Sequence, residues 1–344
     1  MKERVAILGA GSIGTVMGAV VFEKHKDVDL VLIDANKDHV EMLNREGATV
    51  TGYMDLKKVH VKAITPDKME GIYDLVIVLT KQTVNHAALT HLLPYINDNS
   101  VVCTLQNGIP EESVAAIVGR ERTVGGAVGW GAGWISPGVS QLYTKPEFMI
   151  IEIGNLDNVV NEKLQRVETF LKMAGGVTIN LNLMGFRWAK LLMNCSFSGM
   201  SAALGCTFGD ILDDEKAVAC AVHVADELIK VARKKGITLE VIVPGKDFYT
   251  MEFDTKEGRE AAIAFARDVW SVHRPQKASM MQDMEKGIPC EINHINGIIS
   301  QSGKELGIAT PFNDAIVNIV NAFEAKKAPF PTMVNLDKFD VPKL

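Results

Sequence analysis

The sequence lacks the residue patterns of disulfide frameworks and metal sites. Its five cysteines are scattered, odd in number and without a CxxC pair, which favours reduced thiols in a cytoplasmic protein over disulfides or a zinc site. None of the eight histidines has metal-ligand spacing. A Walker loop and a GxSxG motif are also missing. These absences leave metal-dependent hydrolysis and phosphoryl transfer poorly supported.

No long basic run is present either. With 36 basic and 42 acidic residues the net charge is −6, which argues against nucleic acid and anionic membranes as partners. Residues 1–3 lead straight into a strand pattern, so we expect no signal peptide. The uncharged run Leu191 to Gly209 has the length of a membrane span. It contains Asn194, serines and glycines, which favours a buried helix and turn.

What the sequence does contain is a distinctive opening. Arg4 to Leu8 predicts a buried strand, and a helix is predicted to run to about Lys26. A second apolar strand, Asp29 to Ile33, ends at Asp34. Between the first strand and the helix lies a loop made of Gly9, Ala10, Gly11, Ser12, Ile13 and Gly14. Strand, glycine loop, helix, strand and acid is the order of a dinucleotide-binding βαβ unit.

Each part of this unit has a function in cofactor binding. Gly9 permits the tight turn, Gly11 allows the backbone to approach a pyrophosphate, and Gly14 lets the helix pack close to the strand. The first N–H groups of the helix have no internal partner and point at the phosphates. Asp34 can bond both ribose hydroxyls and would repel a 2′-phosphate. We therefore expect NAD(H) to be favoured, with NADP(H) as the alternative because Lys37 could receive a phosphate.

The rest of the chain, 344 residues with 47% hydrophobic content, is long enough for two domains. The first half alternates short apolar strands with helices, as in a parallel sheet buried on both faces. From about Gly185 strand patterns fade and long helical patterns dominate. We predict an α/β protein with an N-terminal Rossmann-type doubly wound sheet, residues 1–184. An all-α C-terminal domain, residues 185–344, follows it.

Hydride transfer to a carbonyl also requires a proton donor and polar groups that fix the substrate. Lys190 opens an uncharged helix and shares one face with Asn194, four residues on. A lysine that borders an apolar run loses hydration, which makes it a better general acid. The alternative is a lysine whose ammonium group simply extends into solvent from the start of a helix.

Other polar residues stand at strand ends or helix starts, each with a plain structural alternative. Asn107, in Gln106-Asn107-Gly108, directly follows a strand, although Asn-Gly is also a common turn. Lys81 ends the preceding strand, with a solvated loop lysine as the alternative. Glu291 is predicted to begin a helix, where the helix dipole favours an acid. Ser279 precedes a short helical pattern, so a helix N-cap is its alternative.

Taken together, these segments resemble the 2-dehydropantoate 2-reductase (ketopantoate reductase) family over nearly the whole chain. The motifs that carry the resemblance are GAGSIG, VLTK, LQNG, the glycine-rich stretch ending SPGV, WAKLLMNC, SMMQD and EINHINGII. The resemblance implies a Rossmann domain joined to an all-helical domain, with the active site between them. Members are often dimers, so it also implies a homodimer, although no pairing surface is readable in the sequence.

The resemblance further implies a reaction and its residues. The reaction is the reversible reduction of a 2-oxo acid, ketopantoate first, to the (R)-hydroxy acid by hydride from a nicotinamide. Lys190 matches the proton donor to the 2-oxo group, and Asn107 matches an asparagine that touches both cofactor and substrate. Asn194 and Ser279 match substrate-binding positions.

Two further residues match positions beside the cofactor, and three positions depart from the family pattern. Glu291 matches the acid that closes over the cofactor, and Lys81 matches a lysine beside it. Asp34 stands where many members have a basic residue for NADPH. Ser198, at a substrate-binding position, stands where the pantoate-specific pattern has asparagine, and Phe208 replaces a further asparagine. The loss of these amides suggests a less polar substrate.

Three alternatives follow. The first is an NAD-dependent D-2-hydroxy acid dehydrogenase for branched or aromatic 2-oxo acids, with Trp130 and Trp134 either lining an apolar pocket or packing in the core. The second is a non-catalytic NAD(H)-binding protein, which would need no proton donor such as Lys190. The third is a dehydrogenase of the 3-hydroxy acid or glycerol-phosphate type, for which no phosphate-binding arginine cluster is evident. The segment Phe248 to Val272 is longer than usual and has no assigned role.

Overall fold

The computed structural model describes residues 2–343. They form two compact units. Unit 1 contains the chain up to Gln106 together with Pro110–Leu183, and unit 2 contains Asn107–Ile109 and the chain from Met184 onward. The expected boundary, between residues 184 and 185, lies next to the division after Leu183. The sequence-based division did not separate Asn107–Ile109 from the first domain, although these residues belong to unit 2.

The described part of unit 1 contains twelve strands. They are β1 (Arg4–Leu8), β2 (Asp29–Ile33), β3 (Ala48–Gly52), β4 (Leu56–Val59), β5 (Ala63–Ile64), β6 (Leu75–Val78), β7 (Val101–Thr104), β8 (Thr123–Val128), β9 (Ala132–Ser136), β10 (Val139–Leu142), β11 (Ile150–Asn155) and β12 (Gly176–Ile179). An eight-stranded sheet has the order β12-β11-β8-β7-β6-β1-β2-β5, and a four-stranded sheet has the order β4-β3-β10-β9.

The large sheet is parallel except where β11 pairs with β8. Strands β6 and β7 are buried along their whole length, as their uninterrupted apolar sequences predict. The helices of unit 1 are α1 (Ser12–Lys24), α2 (Lys37–Glu46), α3 (Asn85–Leu92), α4 (Glu111–Val118) and α5 (Glu162–Leu171). Asn36 and Asn161 cap α2 and α5 with their side chains, which fixes where these helices begin.

Unit 2 is helical. Its helices are α6 (Leu183–Met193, whose first residue belongs to unit 1), α7 (Gly199–Leu204), α8 (Phe208–Asp213), α9 (Glu215–Lys234), α10 (Lys256–Trp270), α11 (Ser279–Glu285), α12 (Asn296–Leu306) and α13 (Pro311–Glu324). The long helix α9 is capped by Asp214 and is buried over most of its length, so it forms the centre of the unit. A Rossmann-type sheet followed by a helical domain is therefore confirmed.

One local prediction, at Glu291, and one structural alternative, at Ser279, are wrong. Glu291 does not begin an α-helix, because a 3₁₀ turn follows it and Ile295 (φ −111°, ψ −88°) interrupts the helical path before α12. Ser279 does not cap a helix with its side chain; it is the first residue of α11, and Ala278 occupies the capping position.

The uncharged run Leu191 to Gly209 is divided among the end of α6, a π turn, α7 and the start of α8. Across residues 2–343, no helix combines the length and the apolar character needed to cross a membrane.

Candidate active site

The glycine loop follows β1 and packs too tightly for most side chains. Gly9 has a φ of +101°, and a Cβ on it would lie 2.6 Å from the backbone nitrogen of Thr80. A Cβ on Gly14 would lie 2.3 Å from the carbonyl oxygen of Gly9. The Gly9 N–H donates to the Ile33 carbonyl at 2.8 Å. The loop is therefore held between the ends of β2 and β6.

The start of α1 has the chemistry of an anion site. Gly11 occupies the capping position, no side chain caps the helix, and the first turn contains no acidic residue. A Cβ on Gly11 would meet nothing within 4 Å, so the backbone there borders open space. Uncapped N–H groups at the positive end of a helix bind phosphate oxygens. These residues fit the pyrophosphate of a dinucleotide.

Asp34 lies beside this loop. It is half-buried at the end of β2, one residue after the Ile33 carbonyl that accepts from Gly9. Its Oδ1 accepts a hydrogen bond from the Asn36 N–H at 2.9 Å, which fixes the carboxylate at the strand end. Lys37, the first residue of α2, is exposed. The structure thus brings Asp34 and the glycine loop together.

Buried amides join the carboxyl ends of β6 and β7. The Gln106 side chain, 4% exposed, donates to the Thr80 carbonyl at 2.7 Å and to Asn85 Oδ1 at 2.6 Å. Thr104 Oγ1 donates to Gln106 Oε1 at 3.0 Å. Lys81 is half-buried and follows Thr80 directly. Because β6 and β7 are parallel neighbours, Lys81 lies at the sheet edge where ligands bind in such folds.

In unit 2, α6 carries Lys190 in its last turn, so the expectation that Lys190 opens a helix is wrong. The helix ends at a π-helical turn, Asn194–Ser198. The Gly199 N–H donates to the Asn194 carbonyl, five residues back, as π geometry requires. Lys190, Asn194 and Ser198 are all half-buried. π turns frequently lie at functional sites. The sequence pattern predicts an uninterrupted helix here and contains no signal for this turn.

A network of buried polar side chains contacts the π turn. Asn296 Nδ2 donates to the Cys195 carbonyl at 2.9 Å and to Asn313 Oδ1 at 2.9 Å. Asn313 Nδ2 in turn donates to Glu227 Oε2 at 2.7 Å. Burial raises the pKa of Glu227 to about 7, against hydrogen bonds from Asn313 and Phe312. Sequence reasoning missed Asn313 and Glu227, although Asn296 belongs to the EINHINGII motif.

The segment Phe248 to Val272 also supports this turn. It contains a 3₁₀ turn, Phe248–Met251, and helix α10. Trp270, near its end, is buried, and its ring stacks on that of Phe197 with the centroids 4.4 Å apart. Phe197 belongs to the π turn, so the segment packs against the turn that contains two of the candidate residues.

The remaining candidates differ in exposure. Asn107 is exposed and precedes Gly108, whose φ is +74°. Ser279 is exposed at the start of α11, whereas Glu291 is only 6% exposed. All five cysteines are buried.

Phe208 and the two tryptophans are explained by packing within their units. Phe208 is 7% exposed and meets the Phe197 ring edge-on at 5.9 Å. The Phe208 ring thus fills the helical core, and the link from this position to a less polar substrate stays a prediction. Trp130 is buried in the core of unit 1, and Trp134 packs on the His39 ring at 4.5 Å.

Two family models match the chain. The model described as ketopantoate reductase PanE/ApbA covers residues 5–157, and its C-terminal partner covers residues 182–324. A 2-dehydropantoate 2-reductase from Pyrococcus horikoshii is 30% identical over 94% of this chain and 98% of that protein. The chain belongs to the ketopantoate reductase family. The corresponding enzyme from Archaeoglobus fulgidus is 28% identical, again over 94% of this chain and 98% of its own length.

Solved structures of the ketopantoate reductase family share the architecture. One from Ralstonia eutropha is 25% identical with a TM-score of 0.78, over 94% of this chain and 99% of the other. D-mandelate dehydrogenase with NADH and anilino(oxo)acetate has a TM-score of 0.79 at 23% identity over the same shares, which is a likeness of fold. The expected family membership is confirmed, and the chain is an oxidoreductase that uses a nicotinamide cofactor.

Proposed function

We propose that this protein reduces 2-dehydropantoate to (R)-pantoate, with Lys190 as the proton donor. The observation that carries the proposal is the placement of Lys190 on α6, one helical turn before Asn194 and the π turn. The names of the relatives from Pyrococcus horikoshii and Archaeoglobus fulgidus support the substrate.

The chemistry requires a hydride and a proton to add across the 2-oxo group. The nicotinamide, when bound, supplies the hydride to C2. Lys190, as an ammonium ion, donates its proton from Nζ to the C2 oxygen as negative charge develops there, and the amine then regains a proton from solvent. The side chains of Asn194, Ser198 and Ser279 hold the carboxylate and hydroxyl groups of the substrate in this role assignment.

The cofactor residues in the proposal are those of the glycine loop together with four side chains. Asp34 binds the ribose hydroxyls, which makes NAD(H) the preferred cofactor. By the family resemblance, Lys81, Asn107 and Glu291 would also contact the cofactor when it is bound. The buried position of Glu291 supports a role that depends on a fixed carboxylate.

Initial rates of NADH and NADPH oxidation with ketopantoate, 2-oxoisovalerate and phenylglyoxylate test the substrate and the cofactor together. We expect the highest kcat/KM for ketopantoate with NADH. A higher value for either apolar acid would contradict the pantoate assignment. It would favour the D-2-hydroxy acid dehydrogenase alternative, which rests on Ser198 in place of an amide.

Replacing Lys190 tests the mechanism separately. Lys190→Ala should lower kcat by roughly 10²-fold or more while NADH binding is retained, as expected for loss of a general acid. Lys234→Ala, an exposed lysine of the same unit, is the matched control and should keep wild-type rates. A Lys190→Ala variant with near-normal kcat would remove the proton-donor role.

A further inference from the structure

We propose that His39 is a positioning residue for the cofactor: its neutral ring fixes the Ala10–Gly11 peptide so that the Gly11 N–H faces the pyrophosphate. The proposal rests on binding of the dinucleotide at the glycine loop. His39 lies on α2, outside every motif that carries the family resemblance, and it is completely buried.

The hydrogen bonds of His39 determine its tautomer. The backbone N–H of Gly138 lies 2.9 Å from Nδ1, and a backbone N–H can only donate. Nδ1 is therefore the acceptor, and the ring proton is on Nε2. Nε2 lies 2.7 Å from the carbonyl oxygen of Ala10 and donates to it. The ring thus links the turn between β9 and β10 to the glycine loop.

A second donor holds the same carbonyl. Thr15 Oγ1, on α1, donates to the Ala10 carbonyl at 2.7 Å and lies 3.2 Å from His39 Nε2. Thr15 is also completely buried. With two donors on one side, the Ala10 carbonyl cannot rotate toward the cofactor without leaving two buried polar groups unpaired, which is costly.

The orientation of this carbonyl decides where the next N–H points. No peptide bond among residues 2–343 is cis, and in a trans peptide the C=O and N–H point in opposite directions. The carbonyl of Ala10 points at His39 and Thr15, so the Gly11 N–H points away from them. The loop borders open space beside this residue, since a Cβ on Gly11 would meet nothing within 4 Å.

The surroundings keep the ring neutral. Burial lowers the pKa of His39, and the Ala10 carbonyl and the Asp34 carboxylate only partly oppose this. Trp134 covers the ring at 4.5 Å. An imidazolium would carry a proton on Nδ1 and would lose its hydrogen bond from Gly138. The hydrogen bonds of His39 with Ala10 and Gly138 therefore form together only when the ring is neutral.

Two amide substitutions separate the two contacts. His39→Gln can place its Nε2 where the imidazole Nε2 donates to Ala10, whereas the shorter His39→Asn can accept from Gly138 but cannot reach Ala10. Both introduce a polar amide into the same buried position. The dissociation constants of NADH and of ADP-ribose, which contains the diphosphate without the nicotinamide, are measured together with kcat at saturating NADH and the melting temperature.

We expect His39→Asn to raise both dissociation constants by about 10-fold, because the Gly11 N–H would lose its hydrogen bond to the charged diphosphate. The kcat at saturating NADH should be nearly unchanged. His39→Gln should restore most of the affinity. Ser100→Ala, which removes a buried hydrogen bond to the Tyr73 carbonyl in the same unit, is the stability control and should leave both dissociation constants unchanged.

The positioning role would be overturned if His39→Asn and His39→Gln lost affinity equally. It would also be overturned if Ser100→Ala weakened binding as much as His39→Asn at a similar drop in melting temperature. Wild-type protein that binds neither NADH nor ADP-ribose would overturn the cofactor site itself. The two failures are therefore distinguishable.

Discussion

The side-chain amide of Asn296 donates a hydrogen bond to the backbone carbonyl of Cys195, at 2.9 Å, within the π turn Asn194–Ser198. Both residues are buried. A π turn interrupts the regular hydrogen bonds that the carbonyls of an α-helix accept. Asn296, on α12, supplies a donor for one of these carbonyls. The local geometry of the turn with Asn194 and Ser198 therefore depends on a residue distant in sequence.

Asn296→Leu removes this donor without a large change of volume. We expect kcat/KM for the 2-oxo acid to fall by about 10-fold or more while the dissociation constant of NADH is unchanged, because a buried carbonyl loses its hydrogen bond and the turn relaxes. Asn335→Leu is the matched control, since Asn335 donates to the Ala203 carbonyl at 3.1 Å, outside the π turn. Equal losses in the two variants would mean that Asn296 contributes stability alone.

Cofactor preference is predicted to depend on the charge at the end of β2. Asp34→Arg should shift the ratio of kcat/KM values from NADH toward NADPH, because an arginine attracts the 2′-phosphate that a carboxylate repels. Asp29→Arg makes the same change of charge at the other end of the strand and should leave the ratio unchanged. An unaltered ratio for Asp34→Arg would show that this side chain does not contact the ribose.

Two glycines of the loop should respond differently to a single methyl group. Gly14→Ala places a Cβ 2.3 Å from the Gly9 carbonyl oxygen, so we expect a loss of about 1–3 kcal/mol in the free energy of unfolding. Gly11→Ala meets no protein atom within 4 Å and should keep its stability while NADH binding weakens. Urea unfolding and NADH titration measure the two effects. Normal NADH affinity in Gly11→Ala would place the pyrophosphate elsewhere.

Acid stability should depend on His223. Burial, aided by the positive charges of Arg259 and Lys230, lowers the pKa of His223 to about 4. The unfolded chain, with an ordinary pKa of about 6.5, binds more protons between these values. The stability that the neutral ring provides is therefore complete above pH 6.5 and is lost as the pH falls toward 4.

His223→Phe keeps a ring that can stack on Phe312, 4.5 Å away, and removes the titration. From pH 7 to pH 5, the wild type should lose about 2 kcal/mol more unfolding free energy than the variant does. Urea unfolding at both pH values measures this, and the exposed His86→Ala serves as the control. The prediction would be contradicted if the difference in unfolding free energy between wild type and His223→Phe were the same at pH 7 and pH 5.

The βαβ unit could be predicted closely because its signals are local. The strands Arg4–Leu8 and Asp29–Ile33 have the predicted bounds, since apolar runs act over a few residues. The helical character of the second half was equally readable from long amphipathic patterns. Family membership followed from motifs in the right order.

What could not be predicted depends on contacts between distant segments. His39 lies 99 residues from Gly138, and Asn296 lies 101 residues from Cys195. No periodicity or composition connects such pairs. The π turn was also hidden, because its sequence suits an α-helix and the hydrogen bond from Asn296 is tertiary. The contact between Phe208 and Phe197 in the core can likewise be identified only in the folded chain.

The π turn also changes how positions along this helix can be compared. Each residue advances an α-helix by about 100°, so one additional residue rotates everything after it by that angle. Side chains of α7 therefore do not continue the face that Lys190 begins. Residues four apart share a helix face from Lys190 to Asn194, but this rule no longer holds from Asn194 to Ser198, because the π turn lies between them. The direction of the Ser198 side chain must be taken from the folded helix, and a serine there is not simply a shortened asparagine on a regular face.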